Sequence, residues 1–378
     1  MPDRRALIVV AQSARALAVS ARRAGFAPLA IDLFGDEDTR EVSLAAITLE
    51  GGLSSGLTAI AVADAVETLN RAYDPVGLVY GSGFECQAGT LAALARATRV
   101  FGNDSQTLAR AKDPIVLAQI CASAGVPHPQ IALRPPDEPE GWLMKRRGGA
   151  GGAHIQAATR GGEIPPDAYF QREIKGRSIS ASFVADGTHA SIVGLSAQWT
   201  APTPLTPFRY GGAAGPVDLG AERNEDIEHT VRRLGREFGL VGLNSADFLV
   251  SDDAAWLIEI NPRPGATLDV FDSDQDPLLA IHVAACDGRM PTPAQRTARK
   301  AAQLVYAAFE GTLHFESSLP DWTADRPARG TRIKAGDPLC TVLASAWSVG
   351  EARRLADERA VQINALFQIN SIFQERTR

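Results

Sequence analysis

LNSADFLVSDDAAWLIEINPRPGAT, residues 243–267, is the stretch that decides how the whole chain is interpreted. It predicts a β-hairpin, with one strand over Ala246–Val250 and a second over Trp256–Ile260, joined by an Asp-rich turn over 251–255. The apolar side chains predicted to share one face of the second strand are Trp256, Ile258 and Ile260.

Two carboxylates face each other in this hairpin. Folding it about Asp253 places Asp247 opposite Glu259, and the alternation of side chains puts Asn261 on the same face as Glu259. Facing carboxylates repel unless a cation lies between them, and oxygen ligands from Asp, Glu and Asn suit Mg²⁺. Arg263, held between two prolines, can reach a phosphate bound to that metal. A solvated hairpin is the alternative, but this set of polar residues favours a metal site.

The composition is that of a globular protein with more than one core. The chain has 378 residues, 45% of them hydrophobic, which predicts two or three domains. A formal net charge of −6 argues against general nucleic-acid binding. The apolar run near the start is interrupted as in a first β-strand, unlike a signal peptide, and no apolar run is long enough to cross a bilayer. The four cysteines lack zinc or disulfide spacing, so we expect a cytoplasmic protein with no membrane partner.

Residues 1 to about 104 alternate predicted strands and helices. ALIVVA at 6–11 is a continuous apolar run, typical of a parallel strand buried on both faces, and a helix is predicted over Gln12–Gly25. The pattern predicts a small doubly wound domain. It lacks the glycines of a dinucleotide fingerprint after the first strand, which argues against an NAD-dependent dehydrogenase. GSGFE at 81–85 is predicted to open a helix, either as an anion-binding turn or as a tight connection.

A lysine followed by a glycine-rich loop stands in the middle of the chain. Trp142–Lys145 is a predicted strand, and residues 146–152 read RRGGAGG. Backbone N–H groups of such a loop can cradle phosphate oxygens. The lysine precedes the glycines, unlike the GxxxxGK[ST] loop, and a flexible connector is the alternative. A further lysine, Lys112, stands just before a predicted helix break at Asp113–Pro114.

The order of these motifs resembles the ATP-grasp superfamily. The lysines, the glycine-rich loop, a hinge strand at Gln171–Ile174 and the metal-binding hairpin follow one another within residues 1 to about 290. LIEINPRP at 257–264 is the most specific part of the resemblance. GSGFE, FRYGG at 208–212 and EINPRP are together similar to a branch of carboxylate–amine ligases. That branch includes the tyramine–glutamate ligase of methanofuran synthesis and its methylotroph counterparts.

The resemblance implies an α/β and α+β chain organised in three parts. These are an N-terminal doubly wound parallel-sheet domain over 1–104, a two-lobed ATP-grasp domain over 105–290 and a small β-rich appendage with a helix over 291–378. Within the ATP-grasp domain, residues 105–170 would cover the nucleotide and residues 171–290 would bind the metal. The resemblance also favours a homodimer.

The resemblance further implies a site for ATP and Mg²⁺, with Mn²⁺ as an alternative metal. Lys112 and Lys145 would contact the ATP phosphates, and Arg263 and Arg209 would carry positive charge to the transferring phosphoryl group or the substrate carboxylate. The implied metal ligands are Asp247, Glu259 and Asn261. The implied contacts of the glycine-rich loop and the adenine hinge are Gly148, Gly149, Gly151, Gly152, Gln171, Arg172, Glu173 and Ile174.

The chain departs from the resemblance at the ribose contact. Many members of the superfamily carry an acidic residue after the hinge glycine. Here Gly176 is followed by Arg177 and Ser178, which leaves Ser178 as the candidate for the ribose.

The implied reaction is carbon–nitrogen ligation through an acyl phosphate. A substrate carboxylate attacks the γ-phosphate of ATP, and an amine then displaces phosphate from the acyl phosphate to form an amide. By the same resemblance the substrates are glutamate and an aromatic amine or amino acid of methanofuran-type one-carbon cofactor synthesis. Two alternatives remain open, namely a nucleotide-binding sensor or assembly subunit with an ATP-grasp shell, and a bicarbonate-dependent carboxylase.

Overall fold

The computed structural model describes residues 4–52, 56–313 and 319–375, and it begins with a five-stranded parallel sheet. The strand order is β3-β2-β1-β4-β5, and helices pack on both faces, as predicted for a doubly wound domain. The strands are β1 (Ala6–Val10), β2 (Ala27–Asp32), β3 (Ala45–Thr48), β4 (Leu78–Tyr80) and β5 (Val100–Phe101). The helices are α1 (Arg15–Arg23), α2 (Glu37–Val42), α3 (Ala59–Tyr73) and α4 (Ala88–Ala97).

Two helices and a four-stranded antiparallel sheet follow. The helices are α5 (Ser105–Ala111) and α6 (Pro114–Ala124). The sheet has the order β6-β9-β7-β8, with β6 (Ile131–Ala132), β7 (Trp142–Arg146), β8 (Gln156–Ala157) and β9 (Ala168–Arg172). Asp113 starts α6 by accepting hydrogen bonds from two backbone N–H groups of its first turn, and Pro114 fits there because the first turn needs no N–H. Lys112 is thereby fixed between the two helices.

A large sheet of eight strands dominates the rest of the chain, in the order β14-β13-β10-β11-β12-β15-β19-β17. Its strands are β10 (Arg177–Asp186), β11 (Ala190–Thr200), β12 (Tyr210–Gly215), β13 (Val241–Val250), β14 (Ala255–Asn261), β15 (Arg299–Tyr306), β17 (Thr323–Ala324) and β19 (Pro338–Ala346). The helices are α7 (Ala221–Phe238), α8 (Leu268–Phe271), α9 (Leu278–Cys286) and α10 (Val349–Glu375), and β16 (Gly311–Thr312) pairs with β18 (Arg332–Ile333).

The C-terminal part is β-rich with a helix, as predicted, but it does not stand apart as a separate appendage. β15 pairs with β12 and with β19, so the large sheet continues across the predicted boundary at residue 290. α10 packs on these strands through a core that contains Val305, Val342 and Ala356.

Both faces of the large sheet are covered by apolar side chains. On β10, Ile179 and Phe183 pack against α7, whereas Val184 belongs to the core shared with the N-terminal sheet. The α7 residues Ile227 and Leu234 are fully buried, and each such side chain contributes about 1.5–3 kcal/mol of transfer free energy. No described helix combines the length and apolarity needed to cross a membrane.

The hairpin forms with the predicted pairing of Asp247 and Glu259, but its apolar face was predicted wrongly. The register shifts between Asp247 and Phe248, and Phe248 pairs with Leu257, so Ile258 is a bulged residue. Leu257 is consequently in the core with Ile260, in place of the predicted Trp256 and Ile258. The core residues of this strand are Ala255, Leu257 and Ile260.

Candidate active site

A lysine bridges the polar face of the hairpin. The Lys112 ammonium donates hydrogen bonds to the Glu259 carboxylate and, over 2.9 Å, to Oδ1 of Asn261. The amide of Asn261 in turn donates to Oδ2 of Asp247 over 3.0 Å. All three predicted metal ligands and one predicted phosphate contact therefore lie in one hydrogen-bonded group.

The pKa values of the two carboxyl groups in this hydrogen-bonded group are shifted in opposite directions. Burial raises the pKa of the Asp247 carboxyl to about 6, and the neighbouring Glu259 charge adds to the shift. Burial also raises the pKa of Glu259, but the Lys112 ammonium more than offsets this effect, so that pKa lies below its ordinary value. The site thus holds one firmly ionised carboxylate beside one that loses its charge more easily.

The donor set fits a hard divalent cation. It offers two carboxylates and an amide oxygen, and Oδ1 of Asp247 is buried without a hydrogen-bond partner among the described residues. A metal ion would satisfy that oxygen. No group of three or more described His, Cys, Asp or Glu side chains is arranged to hold a metal, so the third protein ligand would have to be the Asn261 amide.

A cleft lies between the four-stranded sheet and the hairpin edge of the large sheet. Lys145 on β7 pairs directly with Tyr169 on β9, and both side chains line the cleft together with Glu259. Lys145 is 5% exposed, and burial lowers the pKa of its ammonium although Glu259 and Asp247 act in the opposite direction. Within the described residues this ammonium has no hydrogen bond or ion pair, so it is available to an anion.

The glycine-rich loop lies closed over the cleft. Gly148 abuts the thiol of Cys86, and a Cβ at Gly152 would lie 1.9 Å from the carbonyl oxygen of Phe208. Both glycines have positive φ, at 64° and 74°, and the lack of a side chain permits both the conformation and the contacts. The cavity that remains inside has about 30 Å³, room for a few waters at most. A nucleotide can therefore enter only if this loop moves.

Two histidines line the cleft, one of which the sequence did not single out. The ring of His154 packs against Gly149, and burial lowers its pKa. His128 enters from the segment before β6, and burial lowers its pKa to about 4. Both rings are consequently neutral at pH 7 and can donate or accept one hydrogen bond on each nitrogen.

The hinge strand presents only part of its predicted contacts to the cleft. Gln171 is buried and lines the cleft, whereas Arg172 and Glu173 are exposed and Ile174 is half-buried. The backbone N–H groups of Arg172 and Glu173 already donate to the carbonyls of residues 130 and 141. An adenine ring would therefore have to use other groups of this strand.

Ser178, the candidate for the ribose, is not among the residues that line the cleft. Its hydroxyl lies 3.5 Å from the side-chain oxygen of Gln198 on the neighbouring strand.

Arg263 is held by a carboxylate of the N-terminal domain. Its Nε and Nη2 donate to Oε1 of Glu85 over 3.0 and 2.8 Å, and Nη2 lies 3.5 Å from Asn261. Burial raises the pKa of Glu85, but the Arg263 charge more than offsets it, so the net pKa is below the ordinary value. The Arg263 guanidinium is thus positioned beside the proposed metal ligands.

GSGFE does not open a helix, contrary to the prediction. α4 begins only at Ala88, and the N–H of Gly83 is taken by Oε2 of Glu85 over 2.7 Å. The backbone N–H groups of this segment were predicted to bind an external anion. In the structure the N–H of Gly83 donates instead to the Glu85 carboxylate, whose other oxygen accepts hydrogen bonds from Arg263.

The structure does not bring Arg209 into the cleft. Its guanidinium stacks on the ring of Tyr306, 3.5 Å from the centroid, and donates to the carbonyls of Ala201 and Gly336. It ties the segment before β12 to the C-terminal strands. Next to it, the N–H of Tyr210 donates to the carbonyl of Gly151, which links the same segment to the glycine-rich loop.

Tyr169, His128 and Glu85 are the cleft or site residues that sequence reasoning missed. A signal existed for Tyr169, because it alternates with Gln171 on β9 and so shares its face. Glu85 lies in the GSGFE motif, but no local signal indicates that its carboxylate holds Arg263. None exists for His128 either, since both reach the site from segments distant along the chain.

Residues 111–267 match the family model described as the ATP-grasp domain. This segment is thus similar to ATP-grasp domains. It contains both lysines, the glycine-rich loop, the hinge and the hairpin, and it supports the predicted ATP-dependent ligase. No curated protein sequence matches the chain significantly.

Solved structures resemble the whole chain in fold at low sequence identity. The biotin carboxylase domain of the Hydrogenobacter thermophilus 2-oxoglutarate carboxylase, solved with MgADP, ADP and bicarbonate, has a TM-score of 0.71 at 13% identity and aligns over 93% of this chain and 89% of its own. The Bacillus licheniformis L-amino acid ligase has a TM-score of 0.68 at 14% identity, and the alignment covers 95% of this chain and 97% of the ligase. The Thermotoga maritima N5-carboxyaminoimidazole ribonucleotide synthetase has a TM-score of 0.66 at 12% identity, and the alignment covers 95% of this chain and 98% of the synthetase.

Proposed function

We propose that the chain is an ATP- and Mg²⁺-dependent carboxylate–amine ligase that forms an amide through an acyl phosphate. The observation that carries the proposal is the single hydrogen-bonded group of Asp247, Asn261, Glu259 and Lys112 beside the free ammonium of Lys145. Carboxylates for a metal and ammonium groups for phosphates, with a closing glycine-rich loop, are the parts that phosphoryl transfer needs.

Each residue then has a role in the proposed reaction. Mg²⁺ held by Asp247, Glu259 and Asn261 would neutralise charge on the phosphate oxygens. Lys145 binds the phosphate oxygens from the opposite wall of the cleft. Arg263 stabilises negative charge on the transferring phosphoryl group or aligns the substrate carboxylate for attack.

The Lys112 ammonium brings positive charge to the proposed metal ligands. Its ammonium satisfies Glu259 and Asn261, two of the three proposed metal ligands. Binding of MgATP would therefore displace Lys112 toward the phosphates, where the resemblance places it. The exchange keeps Glu259 ionised in both states.

We further propose, from the resemblance of GSGFE, FRYGG and EINPRP alone, that the substrates are glutamate and an aromatic amine or amino acid. The placement of Arg209 away from the cleft removes one of the two arginines first assigned to the carboxylate and leaves Arg263 for it. A homodimer is the proposed assembly, and the H. thermophilus domain is described as a dimer.

Release of ADP and phosphate with panels of carboxylates and amines tests the proposal. We expect Mg²⁺-dependent release that requires one carboxylate and one amine, and loss of that release in Glu259→Gln. Asp253→Asn is the matched control, because it removes an exposed acid from the same hairpin.

Two other outcomes would reject amide formation. Nucleotide binding in calorimetry without turnover on any pair would indicate a sensor. Release that requires bicarbonate in place of the carboxylate would indicate carboxylation.

A further inference from the structure

A second cavity lies on the opposite face of the large sheet from Asp247. It is open to solvent and has a volume of about 500 Å³ between the sheet, the segment after β12 and the first residues of α10. Side chains alternate along β10, so Arg177 points to this side, whereas Ser180, which pairs with Asp247, points to the other. Ligand sites commonly measure roughly 300–1,000 Å³, so the cavity is large enough for a nucleotide-sized molecule.

Three arginines converge on this cavity. They are Arg177 from the start of β10, Arg299 from the start of β15 and Arg353 from the first turns of α10. Asp218 is the one acidic residue among the described lining residues, and its carboxylate is already hydrogen-bonded to the backbone N–H of Gly220 and to Asn224. The cavity therefore carries a local excess of positive charge in a chain whose net charge is negative.

The three guanidinium groups differ in how far they are engaged. Arg353 stacks on Trp199, 3.5 Å from the ring centroid, and donates to Asp357, and Arg299 donates to a backbone carbonyl over 3.0 Å. Arg177 has no hydrogen bond or ion pair with any residue that the structure describes. Positive charges that line one cavity repel each other. A bound anion would reduce this repulsion and would pair with the Arg177 guanidinium.

We propose that this cavity binds a small-molecule anion with two or more negative charges, at a site separate from the ATP cleft. Arg177 would be its principal contact, with Arg299 and Arg353 as the flanking cations and the indole of Trp199 as an apolar wall. The resemblance expects an acidic residue for the ribose after Gly176. This chain has Arg177 there, which faces away from the ATP cleft and would contact the anion in the second cavity. The proposal adds a binding site to the proposed ligase and does not depend on its reaction.

Calorimetric titration of the full chain with pyrophosphate, AMP and citrate tests the site. The titrations are made in the Lys145→Ala background, so that phosphate binding in the ATP cleft is weakened. We expect at least one of these anions to bind, and Arg177→Ala in the same background to weaken it by about tenfold or more. The exposed side chain of Arg177 has no partner among the residues that the structure describes, so its replacement by Ala is expected to leave folding intact.

Arg71→Ala is the control, since Arg71 is an exposed arginine paired only with Glu67. Arg299→Gln gives a second, independent variant with the same expected direction. A preference for pyrophosphate and AMP would assign the site to phosphate-bearing ligands, and a preference for citrate to polycarboxylates; either supports the proposal if it depends on Arg177. No binding at about 1 mM of each anion, or binding unchanged by Arg177→Ala and Arg299→Gln, would overturn it.

Discussion

At the scale of single residues, the site is organised around a carboxyl group in an unfavourable position. Asp247 is half-buried beside Glu259, and one of its oxygens is buried with no hydrogen-bond partner among the described residues. Its amide neighbour Asn261 satisfies only the other oxygen. Carboxyl groups with a raised pKa are typical of functional sites, where a bound cation can neutralise their charge.

Replacing Asp247 by Asn is expected to stabilise the ligand-free protein above about pH 6. The folded-state pKa is about 6 against an ordinary value of 3.8, so the native state binds more protons between these values and wild-type stability falls as the pH rises through them. The variant lacks this titration, and we expect a gain of roughly 1–3 kcal/mol at pH 7 with a loss of turnover. Denaturation between pH 4 and 8 measures it.

Asp64→Asn, at an exposed helical position, is the control for this experiment. If Asp247→Asn showed the same dependence of stability on pH as the wild type, the burial of an ionisable Asp247 would be contradicted.

Replacing Glu85 by Gln is expected to lower kcat by about tenfold and to change the KM for ATP much less. Among the described residues, the Glu85 carboxylate forms no hydrogen bond with the proposed ATP or metal ligands, but it fixes Arg263, whose charge acts on the transferring group. Steady-state kinetics of ADP release measure both constants. Glu85→Asp should restore part of kcat, and Glu67→Gln on the surface should have no effect; equal changes in KM and kcat for Glu85→Gln would argue against a positioning role.

At the scale of elements, the sequence predicts what alternation and turn chemistry determine. Asp247 pairs with Glu259 as predicted because the bulge at Ile258 offsets a turn that is one residue tighter than the predicted one. The bulge itself could not be predicted, because no local sequence signal marks it, and it shifts the alternation of side chains by one residue. For the same reason the core position of Leu257 was predicted wrongly.

Gly152→Ala is expected to impair ATP binding more than Gly151→Ala. Both glycines have similar positive φ values, 74° and 69°, so both variants carry the same backbone penalty. Only at Gly152 would the new Cβ meet a backbone atom, the carbonyl oxygen of Phe208, whereas at Gly151 nothing lies within 4 Å. Titration with MgATP measures the difference; equal losses in the two variants would contradict the closed loop described above.

At the scale of the whole molecule, one buried arginine joins three parts of the chain. Arg15 at the start of α1 donates to both oxygens of Asp269 near the hairpin and to Asp325 in the C-terminal part. Arg15 and Asp325 are 310 residues apart in sequence, and Arg209 and Gly336 are 127 apart. No local pattern carries such contacts, which is why the tie between the C-terminal strands and the rest could not be predicted.

Arg15→Ala is expected to destabilise the protein by roughly 3–5 kcal/mol at pH 7, because it removes the cation from two carboxylates that are only 14% and 20% exposed. Burial raises the pKa of Asp325, but Arg15 more than offsets it and holds the pKa below its ordinary value, so the pair stabilises the fold above that value and loses this effect as the pH falls through the lowered pKa. Arg71→Ala, at an exposed ion pair, should change stability by less than about 0.5 kcal/mol.

Thermal unfolding at several pH values measures these differences. The deficit of Arg15→Ala should shrink as acid protonates Asp325. A deficit no larger than that of Arg71→Ala at pH 7 would contradict the buried junction.

The transfer of oxygen from substrate to phosphate tests the central claim most directly. The carboxylate that supports ADP release is labelled with ¹⁸O in its carboxyl group, and the phosphate released by the wild type and by Glu259→Gln is analysed by mass spectrometry. Attack of the carboxylate on ATP predicts one ¹⁸O atom in each phosphate from the wild type and no labelled phosphate from the variant. Unlabelled phosphate from a wild type that releases ADP, or no carboxylate that supports release, would contradict the account.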